Sequence, residues 1–88
     1  MVIHGAVVKE QGHTFAVVVV QPGILLNPTE TQKTMTSLKP LFPNMPIVLM
    51  AQEQGGKARF VGREDIAKFL ATVPVSSIPW KRYDVQIN

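Results

Sequence analysis

Two short runs of this sequence are apolar at every position, and they constrain the fold more than any other feature. Residues 16–20 read Ala-Val-Val-Val-Val, and residues 47–51 read Ile-Val-Leu-Met-Ala. A strand that is apolar on both faces belongs in the middle of a sheet that is covered on both sides. The residues between the two runs predict a helix, so the runs should form a β-α-β unit. In such a unit the two strands lie parallel and the crossover is right-handed.

A β-hairpin should precede this unit. Residues 2–9 and 14–21 are rich in valine, which favours strands, and Gly12 lies in the short segment between them. A two-residue loop would place Glu10 opposite His13 and continue an antiparallel register along both strands. A longer loop with a bulge is the alternative, and it would shift that register.

Two helices are predicted from their start and stop signals. Asn27 offers an N-cap side chain, a proline follows it, and Glu30 completes a capping box, so a helix should span residues 28–39. A second helix should span residues 63–73, with Gly62 as its N-cap. The apolar stripe of this second helix, at the i, i+3, i+4, i+7 spacing, consists of Ile66, Phe69, Leu70 and Val73.

The remaining segments predict strands near the sheet edges. The polar, glycine-rich stretch 52–57 should be a turn, from which residues 57–61 return antiparallel to the preceding strand. The C-terminal segment, residues 75–88, alternates in polarity from Arg82 onward. This segment either adds a last strand to its own sheet or pairs with another chain. Its apolar positions on one face are Tyr83, Val85 and Ile87.

These elements predict one small α/β (α+β) domain over residues 1–88. Its mixed sheet should have four or five strands and two helices, in the order ββαββα followed by a C-terminal strand. At 88 residues, the chain is too short for two independent cores. It contains no cysteine, which excludes disulfides and thiolate chemistry. The sequence shows neither a signal peptide nor a membrane-spanning run, so a cytoplasmic location without a membrane partner is expected.

Residues 45–73 resemble the C-terminal half of thioredoxin-fold proteins. The resemblance rests on Met45-Pro46, the buried strand that follows, a glycine-containing hairpin, a second strand, Gly62 and a closing amphipathic helix. It implies that the peptide bond before Pro46 is cis, whereas the base rate for proline alone favours trans. The Cys-x-x-Cys helix of that family is absent, so the resemblance bears on the fold and implies nothing about activity.

Catalytic signals are few, and the sequence predicts a protein that is not an enzyme and uses neither a cofactor nor a metal ion. His4 and His13 are the two histidines of the chain, the residue type best suited to acid–base chemistry near neutral pH, and the hairpin places them at opposite ends of its strands. His13 opposite Glu10 is interpreted as a polar pair at the end of the hairpin. Glu64 and Asp65 are interpreted as the negative charge that favours a helix N-terminus. His4 remains the centre of an alternative hypothesis, a ligand-binding or enzymatic domain.

One cluster near the C-terminus combines aromatic and basic side chains. Such residues can close a core, dominate a protein interface or stack on bases while neutralising phosphates. The three interpretations stay open at this point. The residues of the cluster are Trp80, Lys81, Arg82 and Tyr83.

The favoured hypothesis is a non-catalytic protein-interaction module that self-associates, as a homodimer, through the C-terminal strand or an exposed sheet edge. The alternative is a weak nucleic-acid-binding protein, which fits the net charge of +3 and requires its basic residues to share one face. These basic residues are Lys57, Arg59, Lys81 and Arg82.

Overall fold

The computed structural model describes residues 2–10, 12–53 and 55–84. Gln11, Val85 and Ile87, on which parts of the predictions rest, lie outside the described residues. The elements, in chain order, are β1 (Val2–Glu10), β2 (His13–Val19), α1 (Pro22–Leu25), α2 (Pro28–Leu38), β3 (Ile47–Gln52), β4 (Ala58–Val61), α3 (Glu64–Leu70), a 3₁₀ turn (Val75–Ser77) and β5 (Lys81–Asp84). In the described part of the chain, no helix has the length and apolarity needed to cross a membrane.

The strands form one mixed sheet in the order β4-β3-β2-β1-β5. The two all-apolar strands, β2 and β3, pair in parallel, while the other three pairings are antiparallel. The predicted α+β class, the mixed sheet and the parallel central pair are therefore confirmed. The physical reason is simple: only the centre of the sheet offers an apolar environment on both faces of a strand.

The hairpin register predicted for a two-residue loop is confirmed. Its antiparallel pairs run without interruption from Glu10 opposite His13 to Gly5 opposite Val18. Gly12 has a φ angle of +80°, a backbone conformation that glycine adopts at no steric cost. No bulge interrupts these pairs, so the alternating side chains of β1 and β2 stay on their expected faces.

The sheet is covered on both faces, which gives a three-layer α/β/α arrangement. The α2 face is the side on which α1 and α2 pack, and the α3 face is the side on which α3 and the 3₁₀ turn pack. Buried residues on the α2 face are Ile3, Ala16, Val18, Leu25, Leu38, Phe42, Leu49 and Ala51. Buried residues on the α3 face are Ala6, Phe15, Val17, Val48, Met50, Ile66, Leu70 and Ile78.

The helices differ from the prediction in number and length. A third helix, α1, directly follows β2 because proline occupies its first turn and Leu25 buries its side chain on the α2 face. Helix α3 is capped by Arg63 rather than by Gly62. It ends at Leu70, before the predicted 73. The amide of Ala71 still bonds four residues back, but the amides of Thr72 and Val73 bond three residues back, to the carbonyls of Phe69 and Leu70.

Pro46 follows a trans peptide bond, since the described residues contain no cis peptide bond. The cis geometry implied by the thioredoxin resemblance is therefore absent, and the base rate for proline predicted the isomer correctly. The carbonyl oxygen of Pro46 accepts a hydrogen bond of 2.9 Å from the amide of Ala16. This bond extends the ladder between β2 and β3 by one residue.

Candidate interaction surface at the sheet edges

The two aromatic residues of the C-terminal segment lie on opposite faces of the sheet. Trp80 is half-buried against the α3-face core, and its indole N–H donates to the carbonyl of Val75 at 3.0 Å. Tyr83 is half-buried on the α2 face, where its ring meets Phe42 edge to face at a centroid distance of 5.3 Å. Both rings therefore close the core, and with Lys81 and Arg82 they do not form a single exposed cluster.

The four basic residues of the nucleic-acid hypothesis lie at the two opposite edges of the sheet. Lys57 and Arg59 belong to the β4 edge, whereas Lys81 and Arg82 belong to β5, with three strands in between. At about 4.8 Å per strand, the two edges are roughly 19 Å apart. Arg59 also lies 3.7 Å from Glu53, Nη1 to Oε1. Lys81 and Arg82 are consecutive residues of β5, so their side chains lie on opposite faces of the sheet. The structure therefore does not bring all four charges onto the single face that this hypothesis requires.

His4 is exposed on β1 and lies directly opposite Arg82 of β5. It lines neither of the two grooves described below. The neighbour of His4 across the strand pair is therefore a cation. A ligand-binding or catalytic role for His4 would require convergent polar partners and a concave site.

A groove of about 190 Å³ lies between the hairpin tip and the start of α3. Sequence reasoning did not connect these elements, because Asp65 and His13 are far apart along the chain. The described residues contain no group of three or more His, Asp or Glu side chains that could hold a metal ion. The groove is lined by Glu10, His13, Phe15, Asp65, Ile66 and Phe69.

Asp65, at the rim of this groove, is already engaged. Arg63 donates from Nε to Oδ1 at 3.0 Å and from Nη2 to Oδ2 at 2.7 Å. These hydrogen bonds hold the pKa of Asp65 below its ordinary value, and the same pairing raises the pKa of Arg63. Because both side chains are exposed, we expect the pair to contribute little to stability and to leave little unmatched charge for a ligand.

Strand β5 covers only the first half of the outer edge of β1. Its register runs from Val2 opposite Asp84 to Gly5 opposite Lys81. Within the described chain, no strand pairs with the outer side of residues 6–10, which we name the open half of β1. A groove of about 370 Å³ runs beside it, lined by Val7, Val8, Lys9, Glu10, Phe69, Leu70, Val73, Ser77, Ile78 and Pro79.

The direction of the backbone groups along the open half follows from the neighbouring strands. The amide of Ala16 donates to the carbonyl oxygen of Pro46, the residue just before β3. The backbone groups of Ala16 therefore point toward β3 and away from β1. Ala16 lies opposite Val7, and in an antiparallel pair such a residue and its partner both direct their polar groups outward. The N–H and C=O groups of Val7 and, two residues on, of Lys9 therefore point away from β2.

The two edges of the sheet differ in how they are protected. The outer strand β4 has only four residues, and Arg59 within it and Lys57 before it carry charge. Short strands and cations are common devices that prevent pairing at an edge. On β1, by contrast, Val7 is 37% exposed. The open half of β1 is charged as well, at Lys9 and Glu10, but it also presents this apolar side chain.

Comparisons of the chain with protein-family models, with curated proteins and with solved structures give no match. The resemblance of residues 45–73 to thioredoxin-fold proteins stays a prediction.

Proposed function

We propose that this protein is a non-catalytic interaction module that self-associates by joining the open half of β1 to the same edge of a second copy. The observation that carries the proposal is the strand pairing of β1, which ends at Gly5 on its outer side. Beyond Gly5, strand β1 continues to Glu10, and the backbone groups of Val7 and Lys9 point outward. Pairing such an edge with another strand satisfies these groups and extends the sheet.

A second copy is the partner proposed for this edge, on grounds of symmetry. An isologous contact uses one surface patch twice and closes after two copies, which is the commonest symmetry among oligomers. The groove beside the open half has apolar side chains in its wall, including the half-exposed ring of Phe69 and the side chain of Val73, next to polar ones such as Lys9 and Ser77. Side chains that project from an added strand toward the α3 face would bury apolar surface there.

Proline substitution tests the proposal without touching the hydrogen bonds within the monomer. The N–H of Lys9 points outward, so Lys9→Pro removes a donor that only an added strand would use. Ala58→Pro is the matched control, because the N–H of Ala58 points outward from β4, on the opposite edge, and residue 58 is the first of its strand.

Light scattering at several concentrations measures the outcome for the wild type and both variants, with circular dichroism as the check of folding. We expect a concentration-dependent dimer for the wild type and for Ala58→Pro, and a folded monomer for Lys9→Pro. A wild type that stays monomeric at every concentration would overturn the proposal. A folded Lys9→Pro variant that still dimerises would place the interface elsewhere.

A further inference from the structure

We infer that in this dimer the two-fold axis passes between the Lys9 residues of the two copies, so that the charge of Lys9 limits self-association. The inference rests on the proposed function. It follows from three restrictions on how two β1 edges can meet: the symmetry of the pair, the position of β5 and the direction of the backbone groups.

Symmetry restricts the register first. When two identical strands pair antiparallel about a two-fold axis, residues that face each other lie on the same face of the joined sheet. Along β1, successive side chains alternate between the α2 face and the α3 face. The axis must therefore pass beside a single residue of β1, which pairs with its own copy. Within the open half, the candidates near its middle are Val7, Val8 and Lys9.

The position of β5 removes two of these candidates. Lys81 already lies beside β1, opposite Gly5. An axis at Val8 would place Glu10 of the second copy opposite Ala6. Measured along the strand direction, Glu10 would then lie only about 3.3 Å from Lys81, on the same side of β1. That spacing is shorter than the ~3.8 Å between bonded neighbours in a chain, so the two backbones would overlap. An axis at Val7 would bring the second copy further into β5.

An axis at Lys9 places Glu10 of the second copy opposite Val8. Measured along the strand direction, this residue lies roughly 10 Å from Lys81. The N–H and C=O groups of Lys9 point outward, so the two Lys9 residues would exchange a pair of backbone hydrogen bonds. An axis at Glu10 would overlap the strands by one residue only. Lys9 is therefore the position that satisfies all three restrictions.

The consequence is electrostatic, because two lysine side chains then face each other directly on the α2 face. Like charges directly opposite in an antiparallel pair are unfavourable. Raising the salt concentration screens this repulsion and should tighten the dimer. Lys9→Thr removes the repulsion in both copies and should tighten the dimer roughly two- to five-fold at low salt.

A charge-reversal mixture tests the position of the axis. Lys9→Glu alone keeps a like-charge pair, so its homodimer should resemble that of the wild type. Mixing wild-type chains with Lys9→Glu chains, one of them labelled with nitrogen-15, should give a heterodimer fraction above the statistical half in native mass spectrometry. Lys33→Glu makes the same charge change on the exposed side of α2, and its mixture should stay statistical.

The two proposals fail in different ways. If Lys9→Pro abolishes the dimer but the Lys9→Glu mixture is statistical, the axis lies elsewhere on β1 and the present inference is wrong, while the proposed function stands. If the wild type is a monomer at every concentration, both the proposed function and this inference are wrong. An excess of heterodimer in the Lys9→Glu mixture, with a statistical Lys33→Glu mixture, supports both proposals.

Discussion

The ring of Tyr83 in β5 packs edge to face against Phe42, with a centroid distance of 5.3 Å and an interplanar angle of 77°. This contact joins the last described strand to the loop after α2, on the face where Ile3, opposite Tyr83 in β1, is also buried. The described part of the C-terminal segment, residues 75–84, thus contributes to the core of its own chain. Within the described residues, strand β5 pairs with residues 2–5 of β1 and leaves the outer side of residues 6–10 without a paired strand.

Tyr83→Ala should destabilise the fold by about 2 kcal/mol, because it removes a half-buried aromatic contact from the α2 face. Urea unfolding followed by circular dichroism measures the free energy of unfolding. Arg82→Ala, the neighbouring exposed position on the same strand, is the control and should change stability by less than about 0.5 kcal/mol. Equal losses from both substitutions would show that Tyr83 contributes little to the core.

Gly62→Ala should destabilise the fold by about 1–3 kcal/mol through steric overlap. A Cβ atom at this position would lie 3.1 Å from the carbonyl oxygen of Ile47 and 3.0 Å from Cγ2 of Val48. Gly23→Ala is the matched control, since nothing lies within 4 Å of its added Cβ, and it should be neutral or slightly stabilising. Thermal unfolding of both variants compares them, and an unchanged melting temperature for Gly62→Ala would contradict the prediction.

Asn27→Ala should cost about 1 kcal/mol by removing the cap of α2. The side-chain oxygen of Asn27 accepts hydrogen bonds from the amides of Thr29 at 3.0 Å and Glu30 at 3.3 Å. Asn27→Asp keeps an acceptor at the same place and should retain most of the stability. Denaturant unfolding of the two variants gives the comparison, and a loss as large for aspartate as for alanine would rule out the capping explanation.

Arg63→Gln should raise the pKa of Asp65 toward its ordinary value, because the hydrogen bonds that lower it are lost. A carboxyl with a lowered folded-state pKa contributes stability above its ordinary pKa of about 4, and that contribution is lost as the pH falls through the lowered value. Titration of the Asp65 carboxyl by NMR, in the wild type and in Arg63→Gln, measures the shift. Identical titration curves would show that the ion pair does not form in solution.

Local patterns account for the parts of the fold that were predicted correctly. The hairpin register depends on the loop length and on the alternation of side chains, both of which lie within residues 2–19. The start of α2 depends on Asn27 and the residues directly after it. β2 and β3 lie at the centre because neither has a polar face, and they pair in parallel because a helical crossover joins them.

The sequence therefore determined the class of the fold, its central strands and the register of its first hairpin, because each depends on short-range geometry and on the burial of apolar faces. Only the tertiary structure decided that Trp80 and Tyr83 point to opposite faces and that the basic residues divide between two edges. It also decided that the pairing of β5 with β1 ends at Gly5. Those features depend on how elements distant in sequence pack together, and an alternating pattern does not specify which strand a segment will pair with or for how many residues.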